Sequence, residues 1–436
     1  MTKYRSWAYI PESDQKAVMP AWTDFDLDIE AESLLPHGNA RSYSDSCLNS
    51  EGTLIENRLL DRFIDFDETT GILKCESGVL FSHILDLIVP KNWFLPVTPG
   101  TKYITLGGAI ANDVHGKNHH QDGSFGRHII SFELKRSDGT QFLCSESENL
   151  DFFAATIGGL GLTGFITWAE IQLIKIPSPI IKVETTAFYG LEEFYSLSEV
   201  ANEKHQYSVA WLDCNSKGDQ FARGLFMAGD HTESTKSIKS ATLEPKLSIP
   251  FNFPQKTLNQ YTIKAFNTLY FNKNRLGSGK TTYQHYDSFF YPLDGIGNWN
   301  RIYGNKGFYQ YQFVVPSSEK ETMKKILEKI VESGLGSFLA VLKEFGELSS
   351  PGMLSFPRPG ICLALDFANR GRVTLELISE LDDMVIEAGG AAYPAKDVCM
   401  SSKSFQSYYP KFEEFKKYID PRFSSNFWRR VSENLR

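Results

Sequence analysis

The sequence predicts an α+β protein of two domains, the second built on an antiparallel sheet covered by helices. Three observations predict this fold class. The 436 residues are more than one hydrophobic core usually organises. Short strands with turns fill the N-terminal third, whereas strands and amphipathic helices follow one another later in the chain. Pro177 and Pro179 mark a composition break between the two regions.

The first region is predicted to contain short strands and two short helices. Strands are expected near residue 55 (TLIENR), near residue 75 (GILKCESGV) and from Ile129, where Ser137-Asp138-Gly139 signals a hairpin. A helix is expected over residues 81–90, ended by Pro90, and another over 147–157 with a polar cap. The strand FITWAEIQLIKI follows.

The second region is predicted to contain the strands YSVAWLDC, GFYQYQFVVP, SFLAVLKEFG and GICLALDFA. The clearest helix spans residues 318–333, with Ser318 and Glu321 as a capping box. Its apolar residues recur with helical spacing at Met323, Ile326, Leu327, Ile330 and Val331. Residues 217–280 are polar and irregular, which predicts a mobile insertion over the sheet.

Composition excludes several classes of protein. The hydrophobic content of 42% and charged content of 22% are those of a globular domain, and the net charge of −8 argues against a nucleic-acid partner. No window approaches the 18 apolar residues of a membrane span, and the N-terminus lacks the apolar region of a secretory signal. Six scattered cysteines suit a reducing compartment. We therefore expect a cytoplasmic protein.

The most informative segment is residues 99–126, PGTKYITLGGAIANDVHGKNHHQDGSFG. Its many glycines allow backbone to approach a bulky ligand closely. His115 and Lys117 in the same loop add groups that move protons or offset negative charge. A second segment, PHGNARSYSD from Pro36, offers backbone N–H groups, hydroxyls and Arg41 for a pyrophosphate. The second segment alone suits a polar surface turn, but together the two predict a dinucleotide site.

One glycine motif matches the pattern of a nicotinamide-binding site, but its sequence context does not fit such a site. Residues 159–164, GLGLTG, match the GxGxxG pattern, and Glu184 lies at the spacing of a ribose-binding acid. A nicotinamide fingerprint follows a strand and opens a helix. Here a predicted helix precedes the glycines and a predicted strand follows them. We therefore expect a glycine turn that leads into a strand passing the cofactor.

For several polar residues, both a structural role and a role in binding or catalysis have to be considered. His115, His119 and His120 lack well-spaced carboxylates, so no metal site is predicted, and His119 and His120 are expected to be structural. Lys343 and Lys396 each end an apolar run, as snorkelling lysines do. Gln310 and Gln312 share one face of a strand. Their amides could bond each other or orient a sugar hydroxyl.

Together these segments resemble the flavoproteins of the vanillyl-alcohol-oxidase/PCMH superfamily and, within it, the decaprenylphosphoryl-ribose 2-oxidases. The resemblance covers nearly the whole chain, including ARSYSD, GGLGLTGFI, FYPLDGIGNWNRIYG, LSFPRPG, AAYPAKD and YIDPRF. HGKNHH with GSFG is specific to that subgroup. The resemblance implies a PCMH-type FAD-binding domain at residues 1–178, completed by 390–436. A substrate domain would occupy residues 179–389, with the insertion at about 217–280.

The resemblance also implies non-covalent FAD and a set of residues that bind it. The expected cofactor-binding residues are Pro36, His37, Gly38, Asn39, Ala40, Arg41, Ser42, Tyr43, Ser44, Asp45, Ser46, Gly100, Thr105, Leu106, Gly107, Gly108, Asn112, Asp113, Val114, His115, Ile166 and Tyr393. The expected catalytic residues are Lys396, His115 and Tyr43. The expected substrate-binding residues are Lys117, Gln310, Gln312, Lys343, Phe290 and Cys362.

The chain departs from the subgroup at four positions. Ala40 and Ser44 replace two glycines of the subgroup's GxGRSYGD pattern. Ala364 stands where the subgroup carries a cysteine, and Phe290 stands where a tyrosine is common. The first two changes affect the fine geometry of the loop, and the last two imply a pocket that is more apolar than usual.

The activity implied is oxidation of the C2 hydroxyl of a polyprenyl-phosphoryl ribofuranose to a ketone. Lys396 would stabilise charge, His115 or Tyr43 would take the proton, and Lys117 and Lys343 would hold the phosphate. A lipid tail implies peripheral contact with the inner face of a membrane, and a separate short-chain reductase would complete the epimerisation to arabinose. Two alternatives stay open, namely an aldonolactone oxidase and a non-catalytic sugar- or lipid-binding protein. The C-terminal HWxK-like motif of the former is missing.

Overall fold

Two large antiparallel sheets organise the chain, one from each half of the sequence. The computed structural model describes residues 2–27, 29–233, 245, 247–397 and 399–432. Within those ranges, each sheet has its own hydrophobic core, and a cavity lies between the two halves.

The first half begins with short strands and short helices. Its strands are β1 (Thr2–Arg5), β2 (Glu12–Val18), β3 (Leu34–His37), β4 (Thr53–Glu56), β5 (Phe63–Asp67), β6 (Ile72–Glu76), β7 (Trp93–Phe94), β8 (Ile129–Lys135), β9 (Gln141–Ser145), β10 (Phe165–Gln172) and β11 (Ile174–Lys175). Its helices are α1 (Phe81–Ile88), α2 (Leu106–Ala111), α3 (His119–Asp122) and α4 (Leu150–Thr156). The predicted hairpin and the strands near residues 55 and 75 are confirmed.

These strands form two main sheets in the described part of the chain. One has the order β1-β2-β4-β3, with β4 parallel to both of its neighbours. The other has the order β5-β6-β10-β8-β9 and is antiparallel throughout. Buried aromatic residues such as Phe81, Phe125 and Phe132 pack against this second sheet.

The second half forms the larger sheet. Its strands are β12 (Ile180–Phe188), β13 (Tyr207–Leu212), β14 (Gly224–His231), β15 (Leu247–Ser248), β16 (Lys280–His285), β17 (Ile296–Gly297), β18 (Phe308–Val315), β19 (Ala340–Phe345), β20 (Gly360–Ala368) and β21 (Ala391–Ala392). Its helices are α5 (Leu191–Lys204), α6 (Gln260–Arg275), α7 (Tyr286–Phe290), α8 (Lys320–Ser333), α9 (Arg372–Glu387), α10 (Ser402–Tyr408), α11 (Phe412–Phe415) and α12 (Asn426–Ser432). The sheet order is β16-β12-β14-β13-β19-β20-β18-β21.

Strand alternation gives the large sheet two different faces. Tyr311 and Phe313 of β18 belong to the core with α8 and α9, so Gln310 and Gln312 point to the opposite face. That opposite face looks into the cavity. The predicted antiparallel sheet covered by helices is therefore present.

The C-terminal segment returns to the N-terminal part of the chain. Strand β21 pairs with β18, and the chain then runs back so that Leu34 donates a backbone hydrogen bond to Arg422. Arg430 pairs with Asp45 at 2.7 Å. The division at residues 178 and 390 stays a prediction, since β21 of the large sheet lies beyond residue 389.

Residues 217–280 were expected to be irregular, and that expectation is wrong. The segment supplies β14, which lies inside the large sheet between β12 and β13, and the sixteen-residue helix α6. Residues 234–244 and 246 of this stretch lie outside the described residues. On α6 only Ile263, Asn267 and Phe271 are buried, whereas the large apolar side chains of Tyr261 and Leu269 are exposed, so its sequence does not show one clear apolar face.

Two predicted helix caps are also wrong, although both helices exist. Helix α8 begins at Lys320, and Glu319 takes the cap position and accepts a hydrogen bond from the Thr322 hydroxyl at 2.7 Å. Helix α4 begins at Leu150. Its N-cap residue Asn149 makes no capping hydrogen bond, because its side chain donates to the Leu143 carbonyl at 2.8 Å instead. The apolar spacing of α8 is confirmed, since its five predicted core residues are buried.

The GLGLTG segment has the reversed context that the sequence predicts. Helix α4 precedes it and strand β10 follows it. Gly158, Gly161 and Gly164 all take positive φ values, which an L side chain would resist. No helix in the described ranges is both long and apolar enough to cross a membrane.

Ala40 lies after β3 in a left-handed conformation with φ of 49°. An L side chain destabilises this conformation by roughly 1 kcal/mol or more. We expect Ala40→Gly to raise the free energy of unfolding by about 0.5–1 kcal/mol, measured by urea denaturation. The control is Ala265→Gly at an exposed position inside α6, which should lower stability by about 1 kcal/mol. A loss of stability in both variants would contradict the strain at residue 40.

Candidate active site

A cavity of about 710 Å³ separates the two halves of the chain. One wall consists of the loop that follows β3 and the segment around α2. The opposite wall is the open face of the large sheet. Both glycine-rich segments singled out in the sequence therefore meet at one site.

The loop after β3 presents a row of backbone donors. The N–H groups of residues 38–42 find no acceptor among the described residues. The guanidinium of Arg41 lies 4.0 Å from the Trp7 ring centroid and 5.6 Å from that of Tyr103, and its buried Nε has no partner in the described chain. Consecutive free N–H groups beside a guanidinium suit a pyrophosphate. The donor set thus fits the phosphates of a dinucleotide.

Close contact between this loop and α2 explains the glycines. A Cβ on Gly38 would lie 2.5 Å from Oγ1 of Thr105, and one on Gly108 would lie 2.9 Å from the same atom. Thr105 itself caps α2 by accepting from the Gly108 N–H at 3.2 Å. A Cβ on Gly100 would meet nothing within 4 Å, so that glycine borders open space. These glycines shape the floor that the sequence predicts.

His115 connects the floor to the sheet. Its Nε2 lies 2.6 Å from Nε2 of Gln312, and its Nδ1 lies 3.4 Å from Nζ of Lys343. Burial, with help from Lys343, holds the pKa of His115 well below its usual value, so the ring is neutral. A neutral imidazole donates through one nitrogen and accepts through the other. The neutral ring of His115 therefore keeps one nitrogen lone pair that can accept a proton.

Lys396 lies over the ring of Tyr43, with Nζ 3.8 Å from the ring centroid. Burial lowers the pKa of Lys396 to about 7, although Asp366 acts in the opposite direction. Burial also raises the pKa of the Tyr43 hydroxyl well above 10. The lysine is thus near the midpoint of its titration at neutral pH, whereas the tyrosine keeps its proton.

Asp366 is the site residue that the sequence analysis missed. It accepts from Gln310 Nε2 at 2.6 Å and from the Tyr303 hydroxyl at 3.3 Å. Burial raises the pKa of this carboxyl to about 7. The sequence did contain a signal for this residue. Asp366 lies two residues after Ala364 on β20, and the alternation of side chains along a strand places both on the cavity face. Gln310 and Gln312 therefore bond Asp366 and His115 rather than each other.

Two further lysines bring positive charge into the cavity. Lys117 Nζ donates to the Phe290 carbonyl at 3.2 Å, and Lys343 Nζ donates to the Gly116 carbonyl at 3.3 Å. Among the described residues, neither has a carboxylate within salt-bridge distance. Burial and the nearby Lys343 lower the pKa of Lys117 to about 7. The snorkelling alternative for Lys343 and Lys396 is wrong, since both ammonium groups face the cavity.

Most of the predicted site residues line the cavity. The lining residues are Pro36, His37, Gly38, Asn39, Ala40, Arg41, Ser42, Tyr43, Ser46, Gly100, Thr105, Gly107, Gly108, Asn112, Val114, His115, Lys117, Ile166, Phe290, Gln310, Gln312, Lys343, Tyr393 and Lys396. Ala364, the position of the subgroup's cysteine, also lines it. Their individual roles stay predictions.

Five predicted site residues lie behind the cavity wall instead. Ser44 donates to the Pro394 carbonyl at 2.8 Å, and Asp45 pairs with Arg430. Leu106 is buried in the hydrophobic core. Asp113 accepts from the Gly126 N–H at 2.7 Å and from two serine hydroxyls. Cys362 is buried 3.3 Å from the Gln312 amide. These residues hold the lining in place.

The neighbouring histidines occupy structural positions. His120 Nε2 lies 2.9 Å from the His205 carbonyl. His119 packs against the Phe345 ring at 4.5 Å, and burial lowers its pKa to about 3. Both therefore support the loop that carries His115.

Comparison with known proteins agrees with this geometry. The FAD binding domain family matches residues 29–145, which include both glycine-rich segments. The chain is 34% identical over 414 residues to the decaprenylphosphoryl-β-D-ribose oxidase of Mycolicibacterium smegmatis, covering 91% of this chain and 89% of that protein. It is 29% identical over 371 residues to an uncharacterized Streptomyces coelicolor protein, covering 81% of this chain and all of that protein.

A more distant relative is the Δ(24)-sterol reductase of Macaca fascicularis, 24% identical over 61% of this chain and 50% of that protein. The likeness to the ribose oxidase covers nine-tenths of this chain and of that protein. This chain therefore belongs to the decaprenylphosphoryl-β-D-ribose oxidase family and is an FAD-dependent oxidoreductase.

Proposed function

We propose that this chain oxidises the C2 hydroxyl of a ribofuranose to a ketone while the sugar is attached to a polyprenyl phosphate. The observation that carries this proposal is the pair Lys117 and Lys343, two inward-facing cations without carboxylate partners in the described chain. Buried cations require a compensating anion. Bound FAD would supply the two-electron acceptor for the hydride that leaves C2.

Lys396 is placed to stabilise negative charge on the reacting oxygen. Its ammonium group shares the cavity with His115 and Gln310, and the Tyr43 ring fixes its position. With a pKa of about 7, it is partly charged at neutral pH. A preorganised cation in a site shielded from water stabilises such charge far more than water would.

The hydroxyl proton needs an acceptor, and His115 suits this role better than Tyr43. The raised pKa of Tyr43 keeps its phenol protonated, so it accepts a proton poorly. His115 is neutral, so one of its nitrogens has a lone pair that would accept the proton when substrate displaces the contact with Gln312 or Lys343. We therefore assign proton removal to His115 and positioning of the sugar to Gln310, Gln312 and Tyr43.

The cavity lining extends from Lys343 on β19 across the sheet face to β13, β14 and β12, and many of the residues there are apolar. We call this part of the lining the apolar branch and propose that it accepts a prenyl chain, although Thr185, Thr282 and Gln284 also line the cavity there. The apolar residues of the branch are Val183, Val209, Trp211, Met227, Tyr270, Phe289, Leu339 and Val341. A soluble aldonolactone would leave this branch filled with water against apolar walls, which favours the lipid-linked substrate over the lactone. The resulting ketone would need a hydride donor elsewhere, so we propose that a separate reductase completes the epimerisation.

We also propose that FAD is held without a covalent bond. Both nitrogens of His115 are already engaged, and Nδ1 of His37 lies 2.9 Å from the Cys47 carbonyl. Burial raises the pKa of the Cys47 thiol to about 12, so the nucleophilic thiolate is scarce.

Denaturation of the purified protein should therefore release all of its flavin. We expect the yellow colour to pass into the supernatant after acid precipitation, because only non-covalent contacts hold the dinucleotide. Absorbance of the pellet and supernatant measures the partition. Flavin that stays with the precipitated chain would contradict this proposal.

The function itself is tested by anaerobic mixing with candidate substrates. A short-chain prenyl-phosphoryl ribose should bleach the flavin absorbance, whereas free ribose and an aldonolactone should not do so at the same concentration. Lys396→Ala should slow the reduction by about 10²–10³-fold while flavin stays bound, because a preorganised charge is lost. The exposed Lys403→Ala serves as the matched control.

Rapid bleaching by the lactone alone would overturn the proposed substrate. Wild-type reduction rates in Lys396→Ala would remove Lys396 from the mechanism without affecting the substrate assignment.

The affinity for the phosphate should fall as the pH rises through about 7. The pKa of Lys117 is about 7, so its positive charge is present below that pH and is lost above it. We expect KM for the prenyl-phosphoryl ribose to rise between pH 6 and pH 8, and Lys117→Gln to raise KM about tenfold at pH 6. Steady-state kinetics across that range measure both effects. An identical pH profile in Lys117→Gln would exclude Lys117 from phosphate binding.

A further inference from the structure

The charge of the chain is unevenly distributed around α6. Residues 247–286 contain five basic residues and no Asp or Glu, although the whole chain carries a net charge of −8. The basic residues are Lys256, Lys264, Lys273, Arg275 and Lys280. Such a positive stretch on an acidic protein indicates an anionic partner.

Helix α6 is fixed to the large sheet by one narrow face. Asn267 donates to Asp213 Oδ1 at 2.9 Å and to the Ser337 carbonyl at 3.0 Å. Phe271 is fully buried against Trp211 and Leu225. The face of the helix opposite these residues is directed away from the sheet.

The outward face of α6 carries large apolar side chains. Tyr261, Leu269 and Leu276 are 75%, 71% and 77% exposed, and their spacing of eight and seven residues places them on one stripe of the helix. Exposed Lys264 and Lys273 flank this stripe on opposite sides. An apolar stripe with basic flanks is typical of helices that lie in a membrane interface.

The same helix forms part of the wall of the apolar branch. Tyr270, Asn274 and Gly277 line the cavity, and the Tyr270 ring packs against Trp211 at 4.8 Å between centroids. The outward stripe and the end of the apolar branch are therefore less than one helix diameter apart. A prenyl chain would have a short path between a bilayer and the branch.

We propose that the outward face of α6 docks onto a bilayer surface containing anionic lipids, so that a lipid-linked substrate enters the apolar branch from the membrane. The choice of this route rests on the proposed function, whereas the docking surface rests on α6 itself. A second copy of the chain fits this face poorly, because an isologous contact would bring its lysines together. Phosphate headgroups compensate the lysines, and the interface accepts Tyr261 and Leu269.

Sedimentation of the flavin-loaded full chain with vesicles tests the proposal. We expect binding to phosphatidylcholine vesicles that contain phosphatidylglycerol, weaker binding to pure phosphatidylcholine, and loss of binding at high salt. Lys264→Gln with Lys273→Gln should weaken binding to the anionic vesicles by about thirtyfold. Leu269→Ser should weaken binding to both kinds of vesicle. The control is Val373→Ser, which removes a 58% exposed apolar side chain from α9.

Equal binding of the wild type and the Leu269→Ser variant, or no binding to either vesicle, would overturn the proposal. Self-association of the wild type that Leu269→Ser abolishes would also overturn it and assign the face to a second copy. Rates of anaerobic flavin reduction with a short-chain substrate should stay unchanged in all these variants. A failure of the proposed function would instead appear in those rates while vesicle binding persisted.

Discussion

Positive charge enclosed between two sheets is the constraint on which this structure depends. Lys117, Lys343 and Lys396 face one cavity, and within the described ranges Lys396 alone of the three has a nearby carboxyl, that of Asp366. Burying such charges is costly unless an anion completes the site. The fold meets part of this cost with carbonyl oxygens from Phe290 and Gly116. In the proposed function, the phosphate of the substrate compensates the remaining charge.

The large sheet and the glycine-rich segments make different contributions to the candidate site. Alternation along β18, β19 and β20 places Gln310, Gln312, Lys343 and Ala364 on one rigid face without any special loop. The opposite wall needs close backbone approach, and there the glycines between α2 and the loop after β3 are used. The large sheet thus supplies the candidate reactive side chains, and the glycine-rich segments form the opposite wall, whose shape suits a flat dinucleotide.

Local patterns in the sequence predicted much of this arrangement. The spacing of the α8 core residues and the glycine content of residues 99–126 each reflect a constraint within a few residues. The α8 prediction is confirmed, and residues of the glycine-rich segment line the cavity, although their role as cofactor ligands stays a prediction. The insertion at residues 217–280 was misjudged because β14 is stabilised by its two neighbouring strands and α6 by one narrow face.

Asp366 was missed because its role arises from Gln310 and Tyr303, which lie more than fifty residues away. Ser44 and Asp45 belong to a phosphate-like motif, yet contacts with residues near position 400 turn them away from the cavity.

The ion pair between Asp45 and Arg430 has a consequence for biosynthesis. The loop after β3, which we propose binds the dinucleotide, is made early in translation, but its partner Arg430 is made almost four hundred residues later. A nascent chain therefore carries the glycine segments without the contacts that order them. The loop after β3 therefore reaches its final arrangement only after Arg430 has been synthesised and has met Asp45, so ordering of this loop is a late step in folding.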